Sequence, residues 1–256
     1  MKTQAIIRFL LLFFCLSMMI ASAKANINIG IKLYNNRHSE LTNNSKNIDK
    51  AIDFFLNEIN KPKYEKDAAL YLLKSYYFKG EFVSNNIEKK KQIFKQGKII
   101  GEKYIDKFPN AADLKYWYLV NLGSWAKVYG ILSAAYEGIA DIMKNQSEKI
   151  IEIDPEYQDG GGYFMLGAVH HKSPYIPFFL SWPDNKEAIK FLKIAIQIGN
   201  ERLNQKVYLA QALIKDKKIN EAKKILFEVL NAKPDPLNLT EDLYEINKAE
   251  KILEHL

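Results

Sequence analysis

The stretch YLAQALIKDKKINEAKKILFEVLNAKPDP, Tyr208 to Pro236, decides the fold. Leu209, Ala210 and Leu213 share one side of a first helical run, and Ala222, Leu226 and Val229 share one side of a second. Apolar residues three and four apart are what a helix with one buried face requires. The run KDKK at 215–218 breaks the pattern between the two helices, and Pro234 ends the unit because proline cannot continue a helix. Ala222, small and early in the second helix, lets the two helix axes approach closely. The preceding stretch DNKEAIKFLKIAIQIG holds Ala188, Leu192 and Ala195, each 34 residues before its counterpart in the later unit. A hairpin that recurs at a fixed spacing predicts stacked units that share one continuous core.

A 34-residue period with large and small residues paired in this way resembles the tetratricopeptide repeat. The rest of the chain extends it. NIDKAIDFFLNEI places Ile48, Ile52, Phe55 and Ile59 on one stripe, and DAALYLLKSYYFKG does the same with Ala69, Leu72, Leu73 and Tyr76. KKKQIFKQGKIIGEKYIDKFP reads as a second helix closed by Pro109, with Gly97 and Gly101 marking a close helix crossing. KYWYLVNLGSWAKVYG reads as a first helix, and SAAYEGIADIMKNQSEKIIEIDP as its partner, closed by Pro155. At the C-terminus, LTEDLYEINKAEKILEHL is expected to form a capping helix, with Thr240 as N-cap, Glu241 and Asp242 in its first turn, and Leu243, Ile246 and Leu253 facing the core. No sustained strand-type alternation appears after residue 47. The fold class expected is all-α: a tetratricopeptide-like α-solenoid of helical hairpins with a capping C-terminal helix.

One segment departs from the period. In DGGGYFMLGAVHHKSPYIPFFLSWPDNKEAI, Asp159 to Ile189, the pair Leu166-Gly167 takes the large–small position of a first helix. The small residue of the second helix should follow 13 residues later, as Ala222 follows Leu209, but Ala188 lies 22 residues after Leu166. Nine residues therefore widen this joint, and they bring Tyr175, Phe178, Phe179 and Trp182 between Pro174, Pro177 and Pro183. Gly160, Gly161 and Gly162 invite comparison with a phosphate loop, but no strand precedes them and no Gly-Lys-Ser/Thr follows. They read as a tight turn with close helix packing, with Asp159 as a helix cap. His170 and His171 are adjacent, so on a helix they point about 100° apart and do not suit one metal ion. Their expected role is to pin the insert by hydrogen bonds. The rings of the insert either fill core or wall a pocket or partner surface. The candidate ligand- or partner-binding residues are accordingly Trp117, Trp125, Tyr163, His170, His171, Tyr175, Phe178, Phe179 and Trp182; no catalytic residue, metal ligand or cofactor is expected.

The N-terminus carries an address. MKTQAIIR has Lys2 and Arg8 and no acid, Phe9 to Ala21 is continuously apolar, and Ala23 and Ala25 supply the small residues before a cleavage point. That order predicts a secretory signal peptide over 1–25, with a single helical-repeat domain over 26–256 and a periplasmic or secreted location. Cys15 follows Phe13-Phe14, which is not a lipobox, and it is the chain's one cysteine, so disulfides, thiol catalysis and Cys-ligated zinc are excluded for the remainder. The leader contains Lys2, Arg8 and Lys24, so the formal charge of +7 falls to +4 beyond it. The remaining lysines are interspersed with acids, which argues against nucleic-acid binding.

The order YWYLVNLGSWAK, then EIDPEYQDGGGYFMLGAVHHKSPYIPFFLSWPDNKEAI, then YLAQALIKDKKINEAKKIL is similar to the T-component family of TRAP transporters, over about residues 110–235. The resemblance implies an exported helical-repeat protein that works beside a periplasmic solute-binding protein and holds an apolar ligand, with no catalytic residues. A generic cell-envelope interaction scaffold is the alternative, and self-association stays open.

Overall fold

The computed structural model describes residues 27–40, 46–199 and 202–256. The expected leader over 1–25 and its cleavage point lie outside the described residues. Helix α1 spans 27–35 and runs into a 3-10 turn, Asn36–Glu40. There follow α2 (Lys46–Glu58), α3 (Glu65–Phe78), a π-helical turn (Lys79–Val83), α4 (Ile87–Lys107) and α5 (Ala112–Tyr129). Next come α6 (Ile131–Tyr136), α7 (Ile139–Ile153), α8 (Tyr157–Lys172), α9 (Asn185–Ile198), α10 (Leu203–Lys215), α11 (Ile219–Leu230) and α12 (Leu239–Glu254).

Short α6 aside, each helix from α2 onward packs on the next in the chain. In addition α3 packs on α5, α5 on α8, α8 on α10 and α10 on α12. Those five helices form the inner layer of a solenoid, and α4, α7, α9 and α11 form the outer one. The repeat positions read from the sequence are the contact positions: Ala188, Leu192, Ala195, Ala222, Leu226 and Val229 are all fully buried. The stripes of α2 and α3 are buried as well, with Phe55, Leu72 and Leu73 fully enclosed. The glycines of α4 mark a close crossing with α5: a Cβ on Gly97 would lie 2.1 Å from Asn121 Oδ1, and one on Gly101 2.2 Å from the Tyr118 ring. With Ala222 fully enclosed, Ala222→Leu is expected to destabilise by about 1–3 kcal/mol, the usual cost of overpacking. A urea midpoint unchanged within error would mean that α10 and α11 do not pack through that residue.

Four local expectations are corrected. The partner of α5 is not one helix: Gly138, at φ +64, breaks it into α6 and α7. Asp159 does not cap α8. Gln158, Asp159 and Gly160 all take left-handed backbone angles (φ 52, 57 and 75), and Asp159 is ion-paired with Arg202. Thr240 is not the N-cap of α12; the helix starts at Leu239 and Thr240 bonds to His38 instead. Leu243 points outward and is 48% exposed, while Thr240 and Ala249 take the buried face with Ile246 and Leu253.

The two ends of the described residues meet. Arg37, just after α1, donates from Nη2 to Glu241 Oε1 at 2.9 Å and to the Leu237 carbonyl at 2.8 Å, and from Nε to Glu241 at 3.2 Å. Its guanidinium lies over the rings of Tyr34 and Phe78, at 4.3 and 5.2 Å. His38 bridges Thr240 Oγ1 at 2.7 Å and the Leu237 carbonyl at 2.8 Å. A carbonyl can only accept, so Nε2 carries the proton and Nδ1 accepts from the Thr240 hydroxyl. Farther along α12, Tyr244 meets Phe82 edge-on at 5.5 Å and its hydroxyl reaches Glu81 at 3.4 Å. The C-terminal helix therefore does more than cover the last hairpin. It reaches across to the first one and closes the solenoid on itself.

Candidate functional site

The inner layer faces a cavity of about 1400 Å³. Its wall is built from positions three and four apart on successive inner helices: Tyr71, Lys74 and Tyr77 on α3; Tyr116, Trp117, Val120 and Ser124 on α5; Met165, Ala168 and Lys172 on α8; Tyr208 on α10. These residues form a second stripe on each inner helix, beside the stripe that packs against the outer layer. Tyr34 from α1 and Tyr244 and Lys248 from α12 complete the wall.

Rings touch one another along one side. Tyr34 meets Tyr71 at 5.6 Å, Tyr77 meets Trp117 at 6.0 Å, and Trp117 meets Tyr116 at 5.6 Å. Edge-to-face and tilted pairs at such distances are mildly attractive and hold the rings in place. Burial pushes the Tyr116 hydroxyl up to about 12 and raises those of Tyr34, Tyr77 and Tyr208 as well, so the wall presents neutral phenols at physiological pH.

Most charges on the wall are paired. Lys127 meets Glu81 at 2.7 Å, Lys206 meets Glu228 at 3.0 Å and Lys248 meets Glu245 at 3.2 Å. Lys74 is different. Its ammonium lies 4.8 Å from the Tyr71 ring centre and 5.5 Å from that of Trp117. Burial, reinforced by the Arg37 and Arg202 guanidinium groups and opposed by Asp113, lowers its pKa to about 8. Lys172, over the Tyr208 ring at 5.2 Å, is also lowered to about 8, by burial and then by Lys248 and Lys215; it bonds to Gln211 at 3.0 Å.

The widened joint is the loop 173–184 between α8 and α9. Ile176 and Leu180 exchange two backbone hydrogen bonds of 2.8 Å, which turn the loop back on itself. Phe178 sits at the tip with φ +65, fully exposed, flanked by exposed Tyr175 and Phe179. Leu180 and Pro183 are buried and fasten the base. Trp182 donates from Nε1 to Asp141 at 2.7 Å and stands edge-on to His170 at 4.9 Å. The two histidines pin the far end. His170 Nδ1 accepts from the Asp184 amide at 3.1 Å, and His171 Nδ1 lies 3.0 Å from Asn185 Oδ1. Burial lowers both histidine pKa values, that of His171 to about 4, so both are neutral near pH 7. Asp184 caps α9 by accepting from the amides of Lys186 and Glu187.

Of the candidate residues, Trp117 and Phe179 line the cavity. Tyr175 and Phe178 stand beside Phe179 on the exposed tip. Trp182, His170 and His171 are the fasteners of that loop. Trp125 is buried, stacked on Tyr129 at 4.5 Å, and Tyr163 packs against the core. Sequence reasoning missed Tyr34, Tyr71, Lys74, Tyr77, Tyr208 and the Arg37–Glu241 contact. The signal was there for the tyrosines, as a second set of large residues at helical spacing on the first helices. Among the described residues no three His, Cys, Asp or Glu side chains gather as metal ligands would, and no helix is long and apolar enough to cross a membrane.

Neither a protein-family model nor a curated protein matches the sequence. Among solved structures, a thermophilic TPR protein from Thermus thermophilus is similar, with a TM-score of 0.61 at 13% identity over 89% of this chain and 98% of that one. Yeast Tom70 aligns over 82% of this chain and 60% of its own at 12% identity, with a TM-score of 0.30, too low to bear on the fold. The likeness to the thermophilic protein and the inner and outer helix layers define an all-α solenoid of stacked hairpins. Its repeats are tetratricopeptide-like.

Proposed function

We propose that the chain is a non-catalytic binding protein of the bacterial periplasm that serves solute uptake: it holds a small apolar or amphipathic molecule in its cavity and docks a solute-binding protein. The observation that carries this reading is the cavity itself, about 1400 Å³ and walled by tyrosines from successive inner helices, with an aromatic loop at its edge. A cavity of that size lined by rings with a few polar groups suits a small molecule. The resemblance to the T-component family of TRAP transporters, and the leader-like first 25 residues, support export and the uptake role. An envelope interaction scaffold is favoured by one feature, the fully exposed Phe178 at the loop tip.

The expected result on the partner side is capture of a periplasmic solute-binding protein by the immobilised chain. Phe178→Ala with Phe179→Ala should weaken that contact by about 2 kcal/mol or more, as exposed aromatic hot spots do. Both rings are exposed, so the melting temperature should stay within a few degrees. Capture of a solute-binding protein by the double variant with unchanged affinity would remove the loop from the docking surface. Failure to bind any solute-binding protein, with other envelope proteins retained through the loop, would favour the scaffold.

A further inference from the structure

We propose that Lys74 is the anchor for the carboxylate of an amphipathic monoanion, whose apolar body lies along the cavity's aromatic wall. This rests on the reading of the cavity as a small-molecule site and names the class of molecule. Lys74 is on α3, midway along the ring band, with Tyr71 on one side and Trp117 on the other. Two ring faces attract an ammonium but do not neutralise it. Among the described residues no carboxylate lies within ion-pair distance of it.

The neighbouring charges increase the mismatch. The groups acting on Lys74 are Arg37 from the turn after α1, Arg202 ahead of α10, and Asp113 on α5. Asp113 is already held by Lys66 at 3.0 Å, Arg37 by Glu241 at 2.9 Å, and Arg202 by Asp159. Around Lys74 one half-buried cation is therefore left over, and one negative charge completes it; Lys172, the other wall lysine held by a neutral side chain, bonds to Gln211 and is not among the groups that act on Lys74. A phosphate dianion would need a second free cation beside Lys74, and both guanidinium groups that act on it are committed elsewhere. A single carboxylate fits the count, and the rings of Tyr34, Tyr71, Tyr77 and Trp117 offer an apolar surface to whatever it is attached to. A half-buried charge that lacks a partner costs stability, and a ligand that supplies the partner recovers it. The lowered pKa of Lys74 agrees with this: the site resists the charge until an anion arrives.

The test uses the purified full chain, stripped of co-purifying lipid, and calorimetric titration with decanoate and with 1-decanol, its uncharged counterpart. Decanoate is expected to bind at least tenfold more tightly than decanol at pH 7. Lys74→Met should abolish that preference and leave decanol binding intact, with a melting curve confirming that the variant is folded. Lys74→Arg should keep the preference. In the wild type the preference should shrink as pH rises past about 8, where free Lys74 loses its proton, whereas the Lys74→Arg protein should show no such decline. Equal affinity for acid and alcohol, or a preference that survives Lys74→Met, overturns the carboxylate anchor while leaving the cavity reading in place. If neither compound binds, both the anchor and the small-molecule reading fail.

Discussion

Gly160→Val is expected to cost about 3–5 kcal/mol, a large part of the 5–15 kcal/mol that holds a typical domain together. Two costs combine. Gly160 has φ +75, where a residue with a Cβ loses about 1–2 kcal/mol and a β-branched one more. An added Cβ would also lie 2.9 Å from Ala195 Cα and 3.0 Å from the Ala195 carbonyl, which are backbone atoms of α9 and cannot rotate away. Overpacking of that sort costs a further 1–3 kcal/mol or so. The neighbours leave no room for the corner to relax. Asp159 is ion-paired with Arg202, and Gln205 donates to the Asp159 carbonyl at 2.8 Å, so the start of α10 clamps the start of α8. Gly138→Val is the matched control, because Gly138 takes nearly the same backbone angles (φ 64, ψ 28, against φ 75, ψ 30) but has nothing within 4 Å of its added Cβ. It should lose only the backbone part, about 1–2 kcal/mol and the β-branched increment. Urea unfolding of both variants separates the two costs. Equal losses would mean that the α8–α9 contact at Gly160 is not tight.

The same corner illustrates what is legible in the sequence. DGGG announces a tight turn and close packing, and Gly160 provides both. It does not announce that Asp159 turns its side chain toward Arg202, because that partner is 43 residues away and belongs to another hairpin. Local signals carry far: the 34-residue spacing of Ala188, Leu192 and Ala195 with Ala222, Leu226 and Val229 locates the outer helices, since a buried alanine between two helices constrains its own surroundings. Helix α1 is hidden because its buried residues Ile27 and Tyr34 and its partly buried Ile31 and Leu33 do not fall on one clean stripe, and exposed Ile29 among them blurs the helical period. Lys74 is hidden for a different reason. In sequence it is one lysine among many, and only the closure of the solenoid places Arg37 and Arg202 around it. The aromatic insert is visible as an insertion, but whether its rings turn inward or outward depends on Leu180 and Pro183 taking the buried places.

That closure predicts the second large effect. Arg37→Ala is expected to cost about 2–4 kcal/mol and to loosen the segment 27–40 and α12 together. The Arg37 side chain is 4% exposed and Glu241 23% exposed, so removing the guanidinium leaves a largely buried carboxylate without its cation. Stranding one member of a fully buried pair costs about 3–5 kcal/mol, and the partial exposure of Glu241 trims that figure. Loss of the contacts with Tyr34 and Phe78 adds to it. Arg37→Lys should recover only a fraction, because an ammonium cannot reach Glu241 and the Leu237 carbonyl with the geometry of a planar fork. The distinguishing measurement is hydrogen exchange. If the ends hold one another, amides of α12 and of 27–40 should exchange faster together in Arg37→Ala, while those of α8 and α9 keep their protection. Tyr34 is part of the cavity wall, so decanoate affinity should fall along with it. Faster exchange confined to 27–40, with α12 unchanged, would mean that the C-terminal helix is held by α10 and α11 alone. The solenoid would then be an open one, and the cavity would keep its inner-layer wall without the N-terminal tyrosine.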